Sequence, residues 1–331
     1  MRMIMAKTGK DVTRRLFLTV LLAAGAALFA IRASALGAEG DSPATASPAK
    51  HALDIRPNPK GDWQADLENV RSVLTSAAGA LWAYFPDRQL PPILVEPRGG
   101  PITLFARGPA GEFRVRLNTG DNYWSQYSYQ FAHEFCHILC GNVEQEPSNK
   151  WFEESLCEMA SIFALRRMAE TWKTNPPYPN WRGYAPSLKH YADDLLKKTS
   201  MPPGGDLAAW YNQNEAQLRK EPCQRDKNRV VAAVLLPLFE KQPEHWDAVT
   251  WLNAAPSAKP RSFTEYLTQW QTHAPAKHRP FIGLIAARFG ITLPEAPKAD
   301  PAPAQEGKPF LHSFVDRMDI LLSVALGCRG G

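Results

Sequence analysis

Proline decides how this chain can be divided. Twenty-nine of the 331 residues are Pro, and a residue that lacks an amide hydrogen ends helices and is excluded from sheet interiors. A chain so punctuated folds into short helices joined by irregular connections, and no longer period marks it as a solenoid. Bulk works in the other direction. Ten Trp, fifteen Phe and nine Tyr in a sequence that is 44% hydrophobic supply enough apolar surface to offset the entropy of ordering, which excludes wholesale disorder. The length predicts one large or two modest domains.

The formal charge of +5 invites a nucleic-acid partner until its position is examined. Six of the 38 bases (Arg2, Lys7, Lys10, Arg14, Arg15 and Arg32) and one of the 33 acids (Asp11) fall in residues 1–35, leaving 32 of each beyond. The excess belongs to a segment built like an export signal: a basic start, the apolar run Leu16 to Ile31, then Ala33-Ser34-Ala35 as an A-x-A cleavage site. Thr13-Arg14-Arg15-Leu16-Phe17-Leu18 resembles the twin-arginine export motif. The expectation is an exported chain, periplasmic or extracellular, with no nucleic-acid partner and no stable transmembrane span in the mature protein, since sixteen apolar residues are short for a span.

Residues 36–61, rich in Ala, Pro, Ser and Gly, read as a flexible linker. From Asp62, apolar residues from Leu67 to Tyr84 recur at three and four, one face of a helix ending before Pro86. Three strands follow: Ile93-Leu94-Val95, Ile102 to Ala106, and Glu112 to Asn118. The last two are joined by a Gly-containing hairpin at 107–111, and Phe113 to Leu117 alternate apolar and basic side chains. A helix is predicted over 125–140 with Gly141 as its C′ residue, and a second over 148–168. Tracts at 187–198, 206–220, 229–240, 263–270 and 281–289 read as further helices, 293–309 as a Pro/Ala-rich linker and 310–331 as a C-terminal helix. The domain reading is an export signal at 1–35, a linker at 36–61, a mixed domain at 62–170 and a helical domain at 171–292.

Chemistry concentrates in Phe131-Ala132-His133-Glu134-Phe135-Cys136-His137. On a helix His133 and His137 stand one turn apart on one face, so both imidazoles can reach one cation, and Glu134 lies one residue around from them. This is the H-E-x-x-H arrangement of zinc peptidases. Trp151-Phe152-Glu153-Glu154-Ser155-Leu156-Cys157-Glu158 resembles the W-x-x-E-x-x-x-E segment of gluzincin metallopeptidases. The resemblance covers residues 90–168.

What the resemblance implies is an α+β fold: a zincin-like catalytic domain of a small mixed sheet, an active-site helix and a glutamate helix, followed by a mainly α-helical domain. It implies one zinc ion held by His133, His137 and Glu154, with Glu134 as general base and Glu158 buttressing a ligand histidine. It lays a peptide or protein substrate along Arg114, Arg116 and Asn118 by strand addition. An oxyanion donor would come from the helical half, where Tyr184, His190, Tyr191 and Tyr211 are open choices.

The chain also departs from the family. Glu153 stands where Asn is usual and Ser155 where Gly is frequent, the gap between His137 and Glu154 is slightly short, and no G-x-M-E-N element precedes the site. Glu153 is thus a rival ligand, about 100° around the helix from Glu154, and Cys140 a second. The other readings are a non-catalytic exported module that keeps zinc, and a zinc hydrolase of a non-peptide amide. Five cysteines leave at least one thiol unpaired, with Cys223–Cys328 the pairing to test first.

Overall fold

The computed structural model describes residues 52–144 and 146–294. The export signal, most of the leading linker and the C-terminal helix expected at 310–331 lie outside the described residues, as does Cys328. Among the described residues no helix is long and apolar enough to cross a membrane.

The architecture is mixed α/β: a four-stranded sheet set against a larger body of helices. β1 (Ile55–Pro57), β2 (Ile93–Glu96), β3 (Ile102–Leu104) and β4 (Phe113–Arg116) line up in the order β1-β2-β4-β3. β1 with β2 and β2 with β4 are parallel, whereas β3 runs antiparallel to β4 through the 107–111 hairpin. The predicted alternation holds in β4, where Phe113 and Val115 are buried and Arg114 and Arg116 half-buried. β1 falls inside the stretch read as a linker. Three residues are too short for periodicity to reveal, and the register that makes them a strand, Ile55 against Ile93, comes from a partner 38 residues away.

α1 (Leu67–Trp82) opens on Asp66, whose side chain accepts the Asn69 amide, the N-cap that a helix start favours. Its buried stripe, from Val70 through Leu81, packs against β1 and the two helices that matter most here. α2 (Trp124–Leu139) ends as the sequence predicts. Gly141 takes a φ of +101°, and the amides of Gly141 and Asn142 return to the carbonyls of Ile138 and His137. That Schellman geometry satisfies the last carbonyls of the helix and requires a residue free of a Cβ penalty at 141.

α3 (Lys150–Trp172) is the central strut, with every residue from Trp151 to Leu165 buried. A helix covered on all sides has no solvent face. α2, α1, α4 (Ala185–Lys197) and α6 (Arg225–Lys241) all pack on it. Near its start Trp151 contacts Tyr211 of α5 (Leu207–Lys220), Phe263 of α7 (Phe263–His273) and Phe289, just after α8 (Arg279–Arg288). Buried side chains therefore run in one cluster from Ile55 to Phe289, across the boundary drawn at 170.

Candidate metal centre

α2 turns His133 and His137 toward α3, their ring centroids 5.2 Å apart. α3 answers with Glu154. Its Oε2 lies 3.3 Å from His133 Nε2 and 3.7 Å from His137 Nε2. A tetrahedral ion with bonds of about 2.0–2.2 Å to nitrogen and oxygen sets its ligand atoms about 3.4 Å apart. Glu154 Oε2 thus stands from each imidazole nitrogen at about the separation that two ligands of one ion have.

Cys157, one turn further along α3, is the thiol that joins them. His133, His137 and Cys157 each offer a ligand atom, all within 4.8 Å of one another, and form a group that could hold a metal ion. The sequence singled out Cys140 as the rival thiol; Cys140 instead sits beside Cys136 and Cys157 as one of three buried free cysteines. Burial first, then the neighbouring Cys136 and Cys140, pushes the Cys157 thiol well up. For Glu154 burial opposes the charge, but His137 and His133 override it and hold the acid well below its usual range.

The rival carboxylate has another position. Glu153 Oε1 lies 2.6 Å from His137 Nδ1, and its Oε2 accepts from Asn253 Nδ2 at 2.8 Å. Tyr266 in turn donates to Asn253 Oδ1 at 2.9 Å. Glu153 holds the Nδ1 edge of His137 and leaves Nε2 on the Glu154 side, the arrangement by which a carboxylate behind a histidine orients its ring. Burial lowers the His137 pKa, but Glu154 and Glu153 outweigh it and raise it well above the usual value. Glu153 and Glu154 differ by about 100° in azimuth, yet both reach α2 because they straddle the line of contact between the helices.

Glu134 is 3% exposed and leans to the sheet side, where Thr103 Oγ1 of β3 stands 3.0 Å from its Oε2 and 2.9 Å from its own carbonyl. This contact corrects the substrate strand. β4, carrying Arg114 and Arg116, is paired on both sides, by β2 and β3, and the Asn118 backbone is closed by both ends of the Gln130 amide. Strand addition needs unpaired main chain, and the edge strand that packs on α2 is β3. Asn142 already occupies one acceptor there, the Leu104 carbonyl, at 2.9 Å.

Among the described residues Glu158 hydrogen-bonds no histidine. It accepts from Tyr129 Oη at 2.5 Å and Arg229 Nε at 2.7 Å, tying α3 to α2 and α6. The pair is buried, with side-chain exposures of 2% for Glu158 and 12% for Arg229, so Arg229→Leu leaves a charge without its partner. We expect a loss of about 3–5 kcal/mol in denaturant unfolding, much of it recovered when Glu158→Leu is added. An Arg229→Leu protein as stable as wild type would show that the pair holds nothing together.

The four oxyanion choices lie elsewhere. Tyr184 Oη accepts the Ser125 amide at 3.2 Å, His190 pairs with Asp194, Tyr191 packs on Tyr129, and Tyr211 on Trp151. None of them hydrogen-bonds His133, Glu134, His137 or Glu154. Cys223 Sγ lies 3.7 Å from Glu154 Oε1 and is disulfide-bonded; Cys328 is outside the described residues.

Thr103, Asn253 and Tyr266 carried no signal in the sequence. Thr103 sits in a three-residue strand, and Asn253 reaches Glu153 across 100 residues of chain. Comparison with known proteins gives no family model, no curated protein and no solved structure that matches this chain.

Proposed function

We propose that this chain is an exported zinc metallopeptidase that hydrolyses peptide bonds with Glu134 as general base. The observation that carries the reading is the position of Glu154 Oε2, 3.3 and 3.7 Å from the two imidazole nitrogens, beside a buried carboxylate on the same helix as both histidines. His133, His137 and Glu154 would hold the ion and leave a fourth position open. Bound zinc supplies Lewis acidity toward a carbonyl and lowers the pKa of water toward neutrality.

The remaining steps belong to the protein. Glu134, fixed by the Thr103 hydroxyl, takes a proton from the attacking water and returns it to the departing amine. Glu153 keeps the His137 ring oriented through the exchange. The 3% exposure of Glu134 excludes bulk water from the carboxylate, so the proton it gains is not lost before the amine leaves.

A second reading has its own observation. With Cys157 within reach of both histidines, its thiolate would take a protein-ligand position beside the two imidazoles and move the site toward the closed form that structural zinc takes. The chain would then be a non-catalytic zinc-containing binding module. The test is turnover. Zinc-loaded protein should cut a mixed peptide library and chelated protein should not. A zinc-loaded protein that leaves the library intact overturns the peptidase, and cleavage of only a non-peptide amide would make it a hydrolase of that linkage.

A further inference from the structure

Away from the metal ligands, the first turn of α2 and the length of α4 enclose an open cleft of about 970 Å³. None of His133, Glu134, His137 and Glu154 lines it. We propose that this cleft binds a neutral saccharide chain, a role that goes beyond the metal site and does not depend on it. Its volume lies at the upper end of ligand sites, which run to about 1,000 Å³.

Its charges argue for a neutral ligand. Lys189 pairs with Asp193, and His190 Nε2 lies 3.2 Å from Asp194 Oδ2, and all four residues line the cleft. Two lysines, Lys189 and Lys198, and two aspartates, Asp193 and Asp194, line the cleft, so their formal charges cancel and little net field is left to attract an ion.

Its surfaces argue for a sugar. Tyr123, 61% exposed, lines the cleft together with Tyr184 and Tyr191. Flat aromatic faces suit the C–H face of a pyranose, and polar rims suit its hydroxyls. The polar groups are available: Tyr184 Oη serves as acceptor for the Ser125 amide, which leaves its proton to donate. The Gln126 carbonyl is engaged by Thr119, and its amide nitrogen donates to nothing among the described residues. A peptide backbone would find less here. The walls are helical and carry no strand edge for a peptide to extend.

The test is calorimetric titration of the whole zinc-loaded chain with a neutral β-1,4-linked tetrasaccharide of N-acetylglucosamine, with cellotetraose, and with an end-blocked tetra-alanine peptide. Saccharide binding is expected, weakened about tenfold by Tyr123→Ala, the cost of one aromatic contact near 1.4 kcal/mol, and restored by Tyr123→Phe. Tyr123 is exposed enough that neither change endangers the fold. Binding should persist in His133→Ala, which separates this outcome from failure of the metal site. Absence of binding to both saccharides, binding of the peptide alone, or saccharide binding indifferent to Tyr123→Ala would each overturn the proposal.

Discussion

Protein carrying Glu134→Gln is expected to lose about 10²–10⁴-fold in turnover of a mixed peptide library, the range a positioned general base supplies, while retaining its zinc. The substitution is nearly isosteric, and the amide oxygen can still accept from Thr103 Oγ1, which lies 3.0 Å from the carboxylate. Packing and metal retention should therefore be unchanged, and what disappears is the capacity to take up a proton. In free energy the loss is about 3–5 kcal/mol of transition-state stabilisation. Mass spectrometry of the library, alongside metal analysis of both proteins, checks it. A Glu134→Gln variant that cuts as fast as wild type would remove Glu134 from the mechanism.

Glu154→Ala should have the largest effect on metal affinity. Zinc binding to structural sites yields about 10–16 kcal/mol, and one of three or four ligands carries roughly 3 kcal/mol or more of that, a hundredfold or greater in affinity. Dialysis against a competing chelator should strip this variant and leave wild type loaded. Cys157→Ala, by contrast, should keep its zinc. The opposite ranking, with Cys157→Ala stripped and Glu154→Ala loaded, would favour the closed site and the binding-module reading.

The elements that set this geometry were legible where the sequence carries local information. The i, i+4 spacing of His133 and His137, the Gly141 terminator of α2, the 107–111 hairpin and the alternation in β4 are all decided within a few residues of chain. The pairing of Glu154 with the two histidines was readable through its resemblance to a two-motif pattern. What failed is non-local. β1 exists because Ile93 is beside it, not because Ile-Arg-Pro is a strand by itself. Taking β4 for the open edge required sheet order, which three short strands do not encode. Glu158 takes its expected role from the resemblance and Glu153 its place from helix azimuth, and neither source carries the angle between the helices. The angle at which α3 lies against α2 lets two adjacent glutamates reach the same partner helix, and it gives Glu158 to Tyr129 and Arg229 in place of a histidine.

The proposed function depends on two imidazoles and the Glu154 carboxylate forming the coordination shell of one ion. X-ray absorption at the zinc edge of the loaded protein reads that shell directly. The expected spectrum has a first shell of nitrogen and oxygen at about 2.0–2.2 Å with the outer-shell scattering of two imidazoles and no sulfur. A sulfur scatterer at about 2.3 Å, or a protein that takes up no zinc, would contradict it.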